Sequence, residues 1–201
     1  MKLFYTPGAC SLSPHIVLEE VGATFTLEKV DLKSKKTETG ADFVTINSKG
    51  YIPALVLDDG SLLTEGTVIA QYVADLKPEA GLIPAAGSVE RYKVLEWLSF
   101  ISTELHKPMG ALFNPAQTAD WKQAPVAGLN KRLDWLSSAL AGKTSLQGEQ
   151  FTVADAYLFT VLGWSRVVGF SLDGWPDIQA YAGRVAARPA VQRAMKAEGL
   201  I

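Results

Sequence analysis

Hydrophobic and polar positions near the start of the chain predict a βαβ unit. Short apolar runs at residues 2–5 and 25–30 predict strands, the second by alternation of apolar and polar side chains. Between them the pattern predicts a helix over residues 11–21, and Gly22 is well placed to end it. Two strands therefore enclose the first helix.

A hairpin and a closing helix follow. Residues 31–50 are polar and hold at most one short helix. Residues 54–57 and 61–63 flank Asp58-Asp59-Gly60, whose Asp-Gly pair favours a tight reversal between two strands. A helix over 66–75 completes the order β-α-β-(α)-β-β-α. This is the order of a thioredoxin-like α/β domain.

The rest of the chain carries helical patterns only. The stretch KPEAGLIPAAGS is rich in Pro, Gly and Ala and predicts a linker. We place the α/β domain at residues 1–80, the linker at 81–88 and an all-α domain at 89–201. The predicted helices cover residues 89–107, 121–140, 152–168, 177–187 and 190–198. Thr152 and Asp155 resemble a capping box, a signal for a helix start without chemistry of its own.

Composition narrows the functional classes. The formal net charge of −2 gives no global attraction to nucleic acid or to an anionic membrane. No stretch approaches the ~20 apolar residues of a membrane span, and no secretory signal is visible. A single cysteine, Cys10, excludes an intramolecular disulfide and fits a reducing compartment. We therefore expect a cytoplasmic protein that binds neither nucleic acid nor membrane.

Cys10 is the first candidate for chemistry. It follows the first strand and a Pro7-Gly8 turn, at the start of the first helix. Free N–H groups and the helix dipole at such a place lower the pKa of a thiol, so we expect a reactive thiolate rather than an inert buried side chain. The position three residues along is Ser13, which excludes a dithiol mechanism.

Two further candidates lie in the α/β domain. Glu65 and Gly66 stand between a strand and a helix, where free N–H groups suit a ligand carboxylate and Glu65 suits a ligand ammonium. Dipole complementarity is the simpler reading of Glu65. Ile52 precedes Pro53 just before a strand, and its backbone could pair with an extended peptide.

The helical domain supplies the fourth candidate. Ser99, Thr103 and His106 are spaced i, i+4 and i+7, which places them on one face of an α-helix, with Glu104 and Lys107 beside it. His106 could donate a hydrogen bond to a thiolate or leaving group. The alternative is a solvated histidine near a helix C-terminus.

Taken together, these places resemble a known family, the bacterial beta-class glutathione S-transferases. The resemblance spans essentially the whole chain. It rests on MKLFYTPGACSLSPHIVL, KGYIPAL, LDDGSLLTEG, ERYKVLEWLSFISTELHK, FTVADAYLF and AARPAVQRAMKAEGL. It implies an enzyme that joins glutathione, as co-substrate and without a metal, to small hydrophobic electrophiles, and a homodimer.

The resemblance also implies a set of site residues. Cys10 would face the glutathione sulfur, and the backbone of Ile52, before a cis-proline at 53, would pair with the cysteinyl part. Other residues that the family uses to hold the tripeptide are Lys35, Glu65, Gly66, Ser99, Thr103, Glu104, His106 and Lys107, the last five partly from the other subunit. Phe113 and Trp164 could line the pocket for the electrophile.

Three positions depart from the family pattern. Ser99 replaces a common Asn, Gly66 lacks the hydroxyl of members with Ser, and Pro108 should end or kink the helix after Lys107. Two alternative functions also stay open. One is a glutathione-dependent thiol-disulfide oxidoreductase or reductive dehalogenase that uses Cys10. The other is a non-enzymatic protein that binds hydrophobic ligands.

Overall fold

A computed structural model describes all 201 residues, which form two compact units. The first comprises Met1–Ile83 together with Arg188–Ile201, and the second is Pro84–Ala187. The sequence pattern predicts one helical domain over residues 89–201. The structure instead groups the last fourteen residues with the first unit, because the final helix packs against its first helix.

The first unit contains the predicted strands and helices, with one addition. Its elements up to residue 75 are β1 (Lys2–Tyr5), α1 (Leu12–Glu20), β2 (Thr26–Asp31), β3 (Lys36–Thr37), α2 (Phe43–Ile46), β4 (Ala54–Val56), β5 (Leu62–Thr64) and α3 (Gly66–Asp75). The strand β3 is the addition, since the sequence predicted no strand between residues 31 and 50. A short 3-10 helix, Pro78–Ala80, follows α3.

The five strands form one mixed sheet in the order β3-β2-β1-β4-β5. β1 runs parallel to β2 and antiparallel to β4, with Leu3 opposite Leu27 and Leu55. β4 and β5 form the predicted hairpin. The thioredoxin-like architecture is therefore confirmed. Its core includes a cluster against which Cys10 packs, formed by Phe4, Val30, Phe43, Ile52 and Ala54.

The second unit is all-helical. It consists of α4 (Val89–Phe100), a π-helical segment (Ile101–His106), α5 (Lys107–Ala111), α6 (Ala119–Leu140), α7 (Val153–Val167) and α8 (Pro176–Ala186). None of the helices in the structure is long and apolar enough to cross a membrane.

Pro108 does not end the helix, one of the two outcomes that the sequence predicts. The chain continues helically through Ala111, and the change falls in the preceding turn, which is π-helical. There the Lys107 N–H bonds to the Ser102 carbonyl, five residues back rather than four. Pro108 is the second residue of α5 and follows this π-helical turn directly.

The predicted capping box at the start of α7 is present. The Thr152 side chain accepts from the Ala154 N–H, and the Asp155 carboxylate accepts from the Thr152 N–H at 2.8 Å. Asp155 also accepts from the Leu146 N–H at 2.8 Å and from the Tyr181 hydroxyl at 2.9 Å. The carboxylate therefore joins three separate parts of this unit.

The last helix, α9 (Pro189–Ala197), returns to the first unit and packs on α1. Beyond its end, the Glu198 carboxylate is buried; it lies 2.8 Å from His15 Nδ1 and accepts from the Gly8 N–H at 2.8 Å. His15, for which the sequence suggested no role, therefore helps to anchor the C-terminus beside the loop that carries Cys10.

Candidate active site

Cys10 lies in the loop between β1 and α1, two residues before the helix begins. Its thiol donates to the Ile52 carbonyl, with Sγ and the oxygen 3.4 Å apart. Burial raises the pKa of Cys10 from 9.0 to about 11, more than the nearby N–H groups of Cys10 and Ser11 lower it. The expected lowering of this pKa is wrong, because the thiol is packed beside apolar side chains.

Glu65 and Gly66 occupy the start of α3. Glu65 has a positive φ of 69°, and its side chain does not cap the helix. The Val68 N–H bonds to the Glu65 carbonyl, which leaves the N–H groups of Gly66 and Thr67 without a partner within the helix. A Cβ added at Gly66 would lie 3.3 Å from Pro53 Cγ, tighter than an ordinary contact. Close packing on Pro53 thus accounts for glycine here. The Ile52–Pro53 peptide bond is cis, as the resemblance implies.

Two residues that sequence reasoning missed lie against Glu65. Lys49 Nζ is 2.5 Å from Glu65 Oε1 and 3.0 Å from the Thr64 hydroxyl. The Tyr51 hydroxyl donates to the same Glu65 oxygen at 3.3 Å. The hydrogen bond from Lys49 holds the pKa of Glu65 below its usual range. Both residues belong to the motif KGYIPAL, in which the sequence indicated a role only for Ile52 and Pro53.

One short segment, residues 49–53, connects all the candidates of the first unit. Lys49 bonds to Glu65, the Gly50 carbonyl accepts from Lys35 Nζ at 2.7 Å, and the Ile52 carbonyl accepts from Cys10. Pro53 packs toward Gly66. The Cys10 thiol, the Lys35 ammonium and the Glu65 carboxylate are distant in sequence, yet each bonds to one of these five consecutive residues.

The candidates of the second unit differ in their exposure. Ser99, Thr103 and Lys107 are exposed, and the Thr103 hydroxyl donates to the Ser99 carbonyl at 3.1 Å. Glu104 is paired with Arg132 Nε at 2.5 Å. His106 is only partly exposed. Ser99 thus belongs to α4, whereas Thr103 and His106 belong to the π-helical segment Ile101–His106.

His106 sits among aromatic side chains. Its Nδ1 is 2.5 Å from the Tyr157 hydroxyl, and its ring meets that of Trp164 edge-on with centroids 4.7 Å apart. Phe113 and Trp164, the two candidates for lining an apolar pocket, also meet edge-on, with ring centroids 5.7 Å apart. Burial, with a smaller effect of the Lys107 charge, lowers the pKa of His106 from 6.5 to about 4. The imidazole is therefore neutral at physiological pH.

An NMR titration of the two histidines should place the His106 midpoint near pH 4. Because the unfolded chain binds this proton at a higher pH than the folded one, the His106 contribution to stability should fall as pH drops from about 6.5 to about 4 and level off below. Tyr157→Phe is the control variant in the same titration, since it keeps the aromatic ring that packs against His106. A His106 midpoint at or above 6.5 would contradict this prediction.

Comparison with known proteins gives full-length matches. Family models described as "Glutathione S-transferase, N-terminal domain" and "Glutathione S-transferase, C-terminal domain" match residues 8–76 and 100–189. The chain is 50% identical to glutathione S-transferase GstA of Escherichia coli O157:H7 over 200 residues, covering 100% of both.

Two solved structures share the fold over their whole length. One is a sphingomonad glutathione S-transferase complexed with glutathione, with 49% identity and a TM-score of 0.95. The other is a bacterial beta-class glutathione S-transferase of Sphingomonas chungbukensis, with 48% identity and a TM-score of 0.96. Each alignment covers 100% of both chains.

Proposed function

The chain belongs to the glutathione S-transferase family, and from this premise we propose that it conjugates the thiol of glutathione to small hydrophobic electrophiles. The observation that carries the proposal is the convergence on residues 49–53. The side chains that meet there, Cys10, Lys35 and Glu65, suit the two ends and the middle of a γ-glutamyl-cysteinyl-glycine tripeptide, and all belong to one unit of the fold.

Three contacts would hold the tripeptide on the first unit. The free N–H groups at the start of α3 and the Glu65 carboxylate suit the γ-glutamyl carboxylate and ammonium. The backbone of Ile52 would pair with the cysteinyl residue as an added strand. Lys35, whose ammonium already lies at Gly50, would turn to the glycyl carboxylate.

The raised pKa of Cys10 defines its role in this proposal. A thiol that stays protonated is a hydrogen-bond donor, so Cys10 would donate to the glutathione thiolate and stabilise it. The thiolate then attacks an electrophilic carbon, a C–S bond forms, and the leaving group departs with its electron pair. The same pKa argues against Cys10 as the nucleophile of disulfide exchange, the alternative function.

The remaining assignments rest on the resemblance and on the family relatives. We propose that Ser99, Thr103, Glu104, His106 and Lys107 also contact glutathione, partly from the other subunit of a homodimer. A neutral His106 would act as a hydrogen-bond donor or acceptor, not as a cation. Phe113 and Trp164 are proposed to contact the electrophile. Cytoplasmic detoxification of xenobiotics is the setting that we infer.

The direct test measures the initial rate at which the protein joins glutathione to 1-chloro-2,4-dinitrobenzene, against a blank without protein. We expect a clear rate above the blank. Exchanging Glu65 for glutamine should raise the KM for glutathione about tenfold, since a charged hydrogen bond to the ligand ammonium is lost. No conjugation by folded protein would overturn the transferase proposal and favour a binding-only role.

A matched control for this variant lies in the same unit. Glu79 is exposed in the 3-10 helix after α3, so Glu79→Gln changes the same charge away from residues 49–53. Its KM for glutathione should match that of the unaltered protein. An equal rise of KM in both variants would show that the net charge, not the position of Glu65, matters.

A further inference from the structure

Lys49 has no part in the three glutathione contacts proposed above, yet its ammonium is hydrogen-bonded to Glu65. Its ammonium lies 2.5 Å from Glu65 Oε1, 3.0 Å from the Thr64 hydroxyl and 6.0 Å from the centre of the Tyr51 ring. The side chains of Lys49 and Glu65 are 44% and 51% exposed. An ion pair this exposed adds little to folding stability, so its position calls for a different explanation.

The head group of glutathione creates an electrostatic problem at this place. A γ-glutamyl group carries an ammonium and a carboxylate on the same carbon atom. If the ammonium lies on Glu65, the ligand carboxylate is forced close to a second carboxylate, and like charges at that range repel. The start of α3 offsets this only in part, since a helix N-terminus carries about half a positive charge.

We propose that Lys49 supplies the missing positive charge and selects ligands whose head group carries both an ammonium and a carboxylate. This inference rests on the proposed glutathione function and adds a specificity-determining residue to it. Lys49 and Glu65 present a positive and a negative group side by side, and a zwitterion turned head to tail against them forms an alternating array of four charges. In that array each carboxylate has a cation beside it.

Two local features single out Lys49 for this role. Position 66 is glycine, so no side-chain hydroxyl from the first residue of α3 is available to a bound carboxylate. The long, half-exposed stem of Lys49 lets its ammonium shift between oxygen atoms without disturbing the fold. Tyr51 cannot replace it, because its hydroxyl carries no charge and already donates to Glu65.

The test compares three thiol tripeptides by isothermal titration calorimetry. Glutathione carries both charges, glutaryl-Cys-Gly lacks the ammonium, and 4-aminobutanoyl-Cys-Gly lacks the α-carboxylate. Exchanging Lys49 for methionine should weaken the binding of glutathione and glutaryl-Cys-Gly about fivefold, the upper range for one exposed ion pair. The binding of 4-aminobutanoyl-Cys-Gly should stay unchanged or become tighter. Added salt should shrink the difference.

Two variants serve as controls. Lys49→Arg keeps the charge and should restore most of the affinity for glutathione. Lys77→Met removes the same charge at an exposed position beyond the other end of α3 and should bind all three tripeptides like the unaltered protein.

The possible outcomes separate the inference from the function beneath it. If Lys49→Met weakens all three tripeptides equally, or tightens glutathione, the selection by Lys49 is overturned while glutathione binding stands. If the unaltered protein binds none of the three, the proposed function and this inference fail together.

Discussion

The thiol of Cys10 is expected to react with iodoacetamide about a hundredfold more slowly at neutral pH than an ordinary cysteine. Only the thiolate attacks, and a rise of the pKa from 9.0 to about 11 lowers the thiolate fraction by about that factor. The rate should keep rising about tenfold per pH unit well above pH 9. Mass spectrometry of the alkylated chain measures it directly, since Cys10 is the only cysteine.

Free N-acetylcysteine and the urea-unfolded chain are the controls for this experiment. In both, the rate should level off near the ordinary thiol pKa, because the burial that raises the pKa of Cys10 is absent. A plateau below pH 9 in the folded protein would contradict the prediction and return Cys10 to the role of a thiolate nucleophile.

Exchanging Cys10 for alanine separates the two chemistries proposed for this residue. Conjugation should persist at a rate lowered about tenfold, because one donor to the glutathione thiolate is lost. Formation of a mixed disulfide with oxidised glutathione should disappear, because no other cysteine can replace Cys10. Undiminished conjugation would remove Cys10 from the transferase mechanism.

Exchanging Asp155 for alanine should destabilise the protein by about 3–5 kcal/mol. The carboxylate is buried and accepts from the N–H groups of Leu146 and Thr152 and from the Tyr181 hydroxyl. Its loss leaves buried donors without partners, each of which costs ~1–3 kcal/mol, although they are not fully additive. Urea unfolding followed by circular dichroism measures the change.

Asp120 provides the matched control for this substitution. It also stands in the first turn of a helix of the second unit, but it is exposed. Asp120→Ala should cost at most ~1 kcal/mol, the range of a dipole interaction at an exposed helix end. Tyr181→Phe should fall between the two, since it removes one of the hydrogen bonds to Asp155. Equal losses in the two aspartate variants would contradict a special role of the buried network.

Features encoded over a few consecutive residues were predictable. The helix over residues 66–75, the hairpin around the Asp-Gly turn and the capping box of α7 were all predicted and are all present. Each depends on a local physical cause: periodicity of apolar side chains, tolerance of positive φ, or a side chain that bonds to a nearby N–H. The family motifs are also stretches of consecutive residues.

Features that depend on what lies across the fold were not predictable. β3 exists because Val30 and Asp31 of β2 pair with it, and two polar residues give no pattern of their own. The placement of α9 depends on packing against α1 and on the bonds of Glu198 to His15 and Gly8, residues more than 180 positions away. The periodicity of apolar residues shows that a helix is amphipathic, but it does not show against which other element the apolar face packs.

The sequence by itself determined the family, the thioredoxin-like order of elements and the identities of the candidate residues. The tertiary structure decided their chemical state. Cys10 stands near a helix start, which favours a low pKa, but apolar neighbours from β1, β2 and the segment before β4 raise it. Likewise, Tyr157 and Trp164 enclose His106, and Lys49 meets Glu65, through the folding of distant segments. A pKa depends on burial and nearby charge, and both arise only when those segments come together.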